Sequence, residues 1–178
     1  MHIPDKISKW IRAKNWTLHE HQIRMFKSSE CSSQLLIAPT GSGKTLAGFL
    51  PTIADLYLNP SQKLHTLYIS PLKALASDIK RNLETPIEEL ELKISVEDRT
   101  GDTKQSIKKK QRVIPPNILL TTPESLALLM SYPEAPSIFS SLKRIIVDEI
   151  HAITESKRGD QLFLAISNIR KYLSLIHI

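Results

Sequence analysis

Between Leu35 and Thr45 the chain reads LLIAPTGSGKT: an apolar run, a loop of small residues, then lysine and threonine. Few stretches constrain a fold as tightly. The apolar run ahead of the loop predicts a short buried strand at Leu35–Ala38. Gly41 and Gly43 reach backbone angles closed to most residues, so successive N–H groups can turn inward. A helix opening at Lys44, with Leu46, Phe49, Leu50 and Ile53 on one side, adds its positive amino end. Strand, loop and helix in that order form a phosphate cradle. The spelling departs from G-x-x-x-x-G-K-[ST] at one place, where Ala38 stands for the first glycine. In such a cradle Thr40, Gly41, Ser42 and Gly43 surround the phosphates. Lys44 reaches the β- and γ-phosphates, and the Thr45 hydroxyl binds Mg²⁺.

A phosphate cradle needs an acidic partner at a nearby strand end, and RIIVDEIH supplies one. Arg144–Val147 predicts a buried strand that delivers Asp148 at its carboxyl end, where open parallel sheets carry their sites. Asp148 is the candidate for holding Mg²⁺, and Glu149 for polarising an attacking water as general base. His151 has no partners at metal-ligand spacing, so zinc is not expected there.

Around these two motifs, apolar strands alternate with amphipathic helices, which predicts an α/β fold on a mostly parallel sheet with helices on both faces. Helices are expected over Asp5–Arg12 and from a Thr17–Glu20 capping box to about Phe26. The helix after Lys44 contains Pro51, expected to kink it. Strands are expected at Leu64–Ser70, Leu92–Val96 and Ile118–Thr121. Between them run a helix with Leu72, Leu75, Ala76, Ile79 and Leu83 at helical spacing, the turn RTGDT (Arg99–Thr103), and a basic helix ended by Pro115-Pro116. Thr122 then caps a helix whose first position is Pro123, and a last helix covers Asp160 to about Leu173. Lys108–Lys110 reads as a solvated helix face, Lys157 and Arg158 as phosphate ligands or surface charge, and Trp10 and Trp16 as core anchors.

The 178 residues fit one domain. Net charge is +6, which leans toward a polyanionic partner. No apolar run approaches the roughly 20 residues of a membrane span, so no membrane partner is expected. Cys31 is the single cysteine. It excludes an internal disulfide and agrees with a reducing, cytoplasmic setting.

APTGSGKT together with DEIH resembles a superfamily 2 helicase of the DExH type. YISPLKALASDI (Tyr68–Ile79), RTGDT, LLTTPESLALLMSYPEA (Leu119–Ala135) and VDEIHAITESKRGDQL (Val147–Leu162) are similar to the motifs of large helicase-related proteins. Within these, the bacterial ligase-associated DEXH-box helicases look nearest. The resemblance runs from Trp16 to about Leu173.

It implies a RecA-like P-loop domain, with ATP as the nucleotide because Gln22 matches the glutamine that reads adenine. It implies nucleic-acid contacts at Ser70, Pro71 and Lys73, at Gly101 and Asp102, and at Thr121, Thr122 and Pro123. DNA is favoured over RNA, in a repair setting with ligase or nuclease partners. His151 would join Lys44, Asp148 and Glu149 in coupling hydrolysis to the strand-binding face.

The same resemblance implies that residues 1–178 form a first RecA-like domain, truncated before a Ser-Ala-Thr motif and lacking a second such domain. An arginine from that second domain would contribute about 10³–10⁵ in rate, so the chain alone is expected to bind Mg-ATP and turn it over poorly. Ser174–Ile178 is then expected to occupy part of a missing strand's place.

Overall fold

The computed structural model describes residues 3–28, 33–39, 41–154 and 156–174. They divide into two compact units. The first comprises Met1–Pro60 with Pro86–Lys93, and the second Ser61–Thr85 with Ile94–Ile178.

The first unit holds α1 (Asp5–Ala13), α2 (Glu20–Lys27) and α3 (Lys44–Leu58). Ile7 and Ile11 bury one side of α1, and α2 packs on α3 with Phe26, Leu50 and Ile53 buried. α1 ends in a Schellman turn: Trp16 N donates to Ile11 O and Asn15 N to Arg12 O, with Asn15 at φ +56°. The expected capping box is displaced by two residues. His19, not Thr17, is the N-cap, and its backbone N–H donates to Gln22 Oε1 at 2.8 Å. Pro51 lies inside α3, buried, and the helix continues past it for seven more residues.

The expected strand at Leu35–Ala38 is not formed. Apolar character predicts burial, but a strand also needs a neighbour to pair its backbone groups. This segment has no ladder partner among the described residues, and Leu35 and Ile37 are 71% and 86% exposed. Trp16 is also no core anchor: it is 51% exposed and meets Trp10 edge-on at 5.4 Å.

The second unit is built on four parallel strands, β1 (Thr66–Ile69), β2 (Val96–Arg99), β3 (Ile118–Thr121) and β4 (Arg144–Val147), in the order β2-β3-β1-β4. β3 and β4 fall where the sequence predicts them. β2 begins four residues after the expected start because Leu90–Leu92 form the turn that closes the preceding helix, α4 (Lys73–Glu89). Leu92 N donates to Ile87 O and Glu91 N to Glu88 O, a second Schellman turn with Glu91 at φ +51°. Glycine usually marks that position, so glutamate hid it. Leu72 precedes α4 and is exposed, which removes it from the predicted apolar stripe.

α5 (Gln105–Val113), α6 (Pro123–Met130), α7 (Ala135–Phe139), α8 (His151–Thr154) and α9 (Lys157–Ser174) complete this unit among the described residues. α7 and α8 are additions to the sequence reading, and α9 starts three residues earlier than expected. One face of the sheet, with Leu67, Ile69 and Leu119, shares a core with Leu126 and Leu129 of α6, Phe139 of α7, and Leu162 and Ile169 of α9. Each such side chain contributes roughly 1.5–3 kcal/mol on burial. Tyr68, Ile118 and Leu120 point to the opposite face by the strand period and are equally buried. β1 and β3 are thus covered on both sides, in keeping with their mostly apolar sequences. β4, at the edge, is only half-buried. Residues 175–178, where the tail was expected to fill a strand position, lie outside the described residues.

Candidate nucleotide and nucleic-acid sites

In the first unit the loop is bent by Gly41 and Gly43, at φ +81° and +75°, the left-handed region that glycine adopts without strain. Gly43 is the N-cap of α3, so the unpaired N–H groups of that helix's first turn lie beside the loop. Lys44 Nζ folds back onto Ala38 O at 3.0 Å. Gln22 is buried and donates from Nε2 to Gly43 O at 3.0 Å, while its Oε1 receives His19 N–H. Its amide thus fixes the loop, with one Nε2 hydrogen left over. Ser42 Oγ is buried without a hydrogen-bond partner.

Two glycines at positive φ, a buried hydroxyl without a partner, a lysine resting on a neutral carbonyl and an uncapped helix end gather donors with no anion among their partners. They fit a polyphosphate. Thr45, in the first helical turn, fits the place of a Mg²⁺ ligand. Thr40 lies outside the described residues.

In the second unit the strand ends come into one row. Ile69 pairs with Thr121 on one side and Val147 on the other, and Thr121 pairs with Arg99. The residues that follow each strand therefore emerge together: Ser70-Pro71, Thr100-Gly101-Asp102, Thr122-Pro123 and Asp148-Glu149. This is the carboxyl end of a parallel sheet, where α/β folds bind ligands.

Asp148 is held from two directions. Its Oδ2 accepts the Tyr68 phenolic O–H at 2.5 Å and its Oδ1 the Glu149 N–H at 2.9 Å. Burial pushes the Tyr68 hydroxyl far above its ordinary range, and the hydrogen bond to Asp148 and that carboxylate's charge push it further. The phenol stays protonated and donates to Asp148. Glu149 sits at φ +46°, a left-handed conformation that costs a non-glycine residue about 1–2 kcal/mol. Its carboxylate reaches His151 Nε2 at 3.4 Å, and His151 is largely exposed at the start of α8. Among the described residues no cluster of three His, Cys, Asp or Glu could cage a metal.

Of the expected nucleic-acid contacts, Ser70, Thr121 and Thr122 are buried. Their hydroxyls serve the loops: Ser70 Oγ donates to Leu72 O, Thr121 Oγ1 to Arg99 O, and Thr122 Oγ1 caps α6 by accepting Ser125 N–H. Pro71 and Pro123 are buried beside them. What these strand ends show to solvent is Lys73 and Asp102, paired at 2.9 and 3.0 Å, and the exposed Gly101.

Four further residues organise this row and escaped the sequence reading in that role. Tyr68 read as one apolar residue of a strand; only the register shows that it reaches Asp148. Arg158, at the start of α9, donates from Nη2 to Pro71 O at 2.7 Å and from Nε to Glu124. Arg99, expected in a turn, ends β2 and is 1% exposed; burial lowers its pKa. Lys108, expected on a solvated face, is 8% exposed and donates to Gly101 O at 3.1 Å. It lies on the face of α5 that turns toward the loop, whereas Lys109 and Lys110 are exposed. Spacing could have raised the question for Lys108, which lies three and four residues from Gln105, Gln111 and Arg112, but not answered it.

No helix among the described residues is long and apolar enough to cross a membrane. A family model described as DEAD/DEAH box helicase matches residues 19–176. The chain is 37% identical, over 94% of its length, to ATP-dependent helicase Lhr-Core protein 2 of Thermococcus barophilus. It is 39% identical, over 97%, to ATP-dependent helicase Lhr-Core of Methanocaldococcus jannaschii. It spans 21% and 22% of those two proteins, about a fifth of their length. The solved structure of Mycobacterium smegmatis helicase Lhr bound to ssDNA and AMP-PNP is similar with a TM-score of 0.88 and 36% identity, over 96% of this chain and 23% of that one. That likeness agrees with the RecA-like parallel sheet expected from the sequence. With the phosphate loop, the acidic strand end and the family model all matched in order, this chain belongs to the DEAD/DEAH box helicases.

Proposed function

We propose that this chain is the ATP-binding domain of an ATP-dependent helicase that moves along a nucleic-acid strand, DNA in preference to RNA. The observation that carries this reading is the in-register row of strand ends. It gathers the acidic pair Asp148-Glu149 and the Lys73, Gly101-Asp102 and Thr122-Pro123 segments at one end of one sheet.

In this reading Gly41–Thr45 and Thr40 bind the phosphates, Gln22 the adenine edge, and Thr45 and Asp148 the Mg²⁺. The metal, when bound, neutralises charge on the β- and γ-phosphates. Tyr68 keeps Asp148 aimed through its hydrogen bond. Glu149, held by its own backbone against the Asp148 carboxylate, accepts a proton from the attacking water. His151, in contact with Glu149, relays the state of that carboxylate toward the strand-binding face. Lys73 and the loop amides hold phosphodiester groups without reading bases. DNA is favoured because the similar Mycobacterium smegmatis Lhr is a DNA-bound structure.

Equilibrium binding of a fluorescent ATP analogue tests the nucleotide half. Lys44→Ala is expected to weaken binding about tenfold or more, one charge-assisted contact to phosphate. Equal affinity in the two proteins would overturn the assignment. Matched DNA and RNA single strands, titrated in parallel, test the preference; tighter RNA binding would reverse it.

A further inference from the structure

The loop Thr100–Thr103 is shaped from inside by two buried cations. Lys108 Nζ donates to Gly101 O at 3.1 Å. Arg99 donates from Nη1 to the carbonyl of Lys108 at 3.0 Å and to Gln111 Oε1 at 3.2 Å. Its own carbonyl accepts from Thr121 Oγ1 at 2.8 Å. None of these Arg99 partners is a carboxylate, and Arg99 Nη2 is buried without a hydrogen-bond partner. Buried cations of this kind are costly, and apolar residues would pack α5 more cheaply. Stability alone does not account for them.

Peptide geometry gives them a use. In a trans peptide the C=O of one residue and the N–H of the next share a plane and point to opposite sides. Fixing the Gly101 carbonyl inward on Lys108 therefore turns the Asp102 N–H outward. Thr100 N–H is closed by Thr103 Oγ1 and Thr103 N–H by Thr100 O, but Asp102 N–H donates to nothing among the described residues. Lys73 Nζ lies beside this peptide, 3.3 Å from where a Cβ on Gly101 would lie, and is held by the exposed Asp102 carboxylate. An outward amide beside an ammonium is a donor pair suited to a phosphodiester.

We propose that Lys108 is a positioning residue for nucleic-acid binding. Without touching the strand, it orients the Gly101–Asp102 peptide so that the Asp102 amide, beside Lys73, receives a backbone phosphate. Arg99 holds the turn of α5 from which Lys108 reaches. This rests on the strand-end face being the nucleic-acid surface, and it specifies how one contact there is made.

The test is anisotropy of a fluorescein-labelled single-stranded DNA oligonucleotide over a salt series, using wild type, Lys108→Met, Lys109→Met and Lys73→Ala. Lys108→Met is expected to weaken binding about fivefold, the scale of one hydrogen bond. The slope of log K against log salt stays unchanged, because an amide releases no counterion. Lys109→Met removes the same charge from an exposed neighbour and is expected to bind like wild type. Lys73→Ala is expected to flatten the slope by about 0.7.

Wild-type affinity in Lys108→Met overturns the proposal, as does a slope change as large as that of Lys73→Ala, which would mean direct phosphate contact. A wild-type chain that binds no oligonucleotide, or a silent Lys73→Ala, overturns the underlying surface assignment instead. Should Lys108→Met unfold, the wild-type amide spectrum decides: the Asp102 resonance is expected to move on adding oligonucleotide, and an unmoved resonance overturns the proposal.

Discussion

Arg158 donates a hydrogen bond to the carbonyl of Pro71 at 2.7 Å, across 87 positions of sequence, and ion-pairs with Glu124 from the same guanidinium. One side chain on α9 therefore ties the loop after β1 to the first turn of α6. Arg158→Gln leaves the Pro71 carbonyl without this donor and releases Glu124. The expected stability loss is about 1 kcal/mol, read as a lower urea midpoint with an unchanged slope. Lys157→Gln, one residue away, is expected to leave the midpoint in place.

The Arg158–Glu124 pair has a pH signature. Burial, the largest single effect, would raise the Glu124 pKa, but the hydrogen bonds from Arg158, from its own backbone N–H and from Thr122, with the Arg158 charge, together outweigh it and the net shift is downward. A depressed folded-state pKa stabilises the fold above the unfolded value, about pH 4.3, and that contribution disappears as pH falls through the folded value. Midpoints of wild type and Glu124→Gln are expected to differ at pH 7 and converge below about pH 4. A constant difference across that range would contradict the assignment.

Tyr68→Phe removes the donor to Asp148 together with the hydrogen bond between Ser70 and the phenolic oxygen. The expected loss is about 1.5–3 kcal/mol, because the acceptor is charged. The raised Tyr68 pKa adds a sign. Its stabilisation is complete below the unfolded value, about pH 10, and is lost as pH rises beyond it. Wild type is expected to lose stability above pH 10 more steeply than Tyr68→Phe in urea titrations at pH 9, 10 and 11.

Gly41 and Gly43 separate backbone freedom from space. A Cβ on Gly41 meets nothing within 4 Å, whereas on Gly43 it would stand 2.4 Å from Gln22 Nε2. Gly41→Ala is expected to cost about 1–2 kcal/mol of left-handed strain and to keep the Gln22 contact. Gly43→Ala adds the clash, displaces Gln22, and is expected to lose nucleotide affinity tenfold or more beyond Gly41→Ala in the same titration.

The sequence carried the strands that pair on both sides. β1 and β3 are mostly apolar and buried on both faces, so composition located them. β2 was misplaced because Glu91 closes a helix in a conformation that no glycine announces. Leu35–Ala38 was misread because apolarity reports burial, while strand formation also depends on a neighbour elsewhere in the chain. The candidate site divides in the same way. Lys44, Asp148 and Glu149 are legible as local spellings next to a strand or helix end. Tyr68, Arg99, Lys108 and Arg158 act through contacts that exist only once register and helix facing are fixed.

The strand order also sets a timetable for synthesis. β1 is the first strand made, yet both of its neighbours, β3 and β4, come later in the chain than β2. At about 5–20 residues per second, an apolar Thr66–Ile69 waits several seconds on the ribosome before Ile118–Thr121 can pair with it. During that interval its unpaired backbone and apolar side chains are open to wrong association. Slowing translation between Ile69 and Ile118 would lengthen that exposure, while slowing it after Val147 would not.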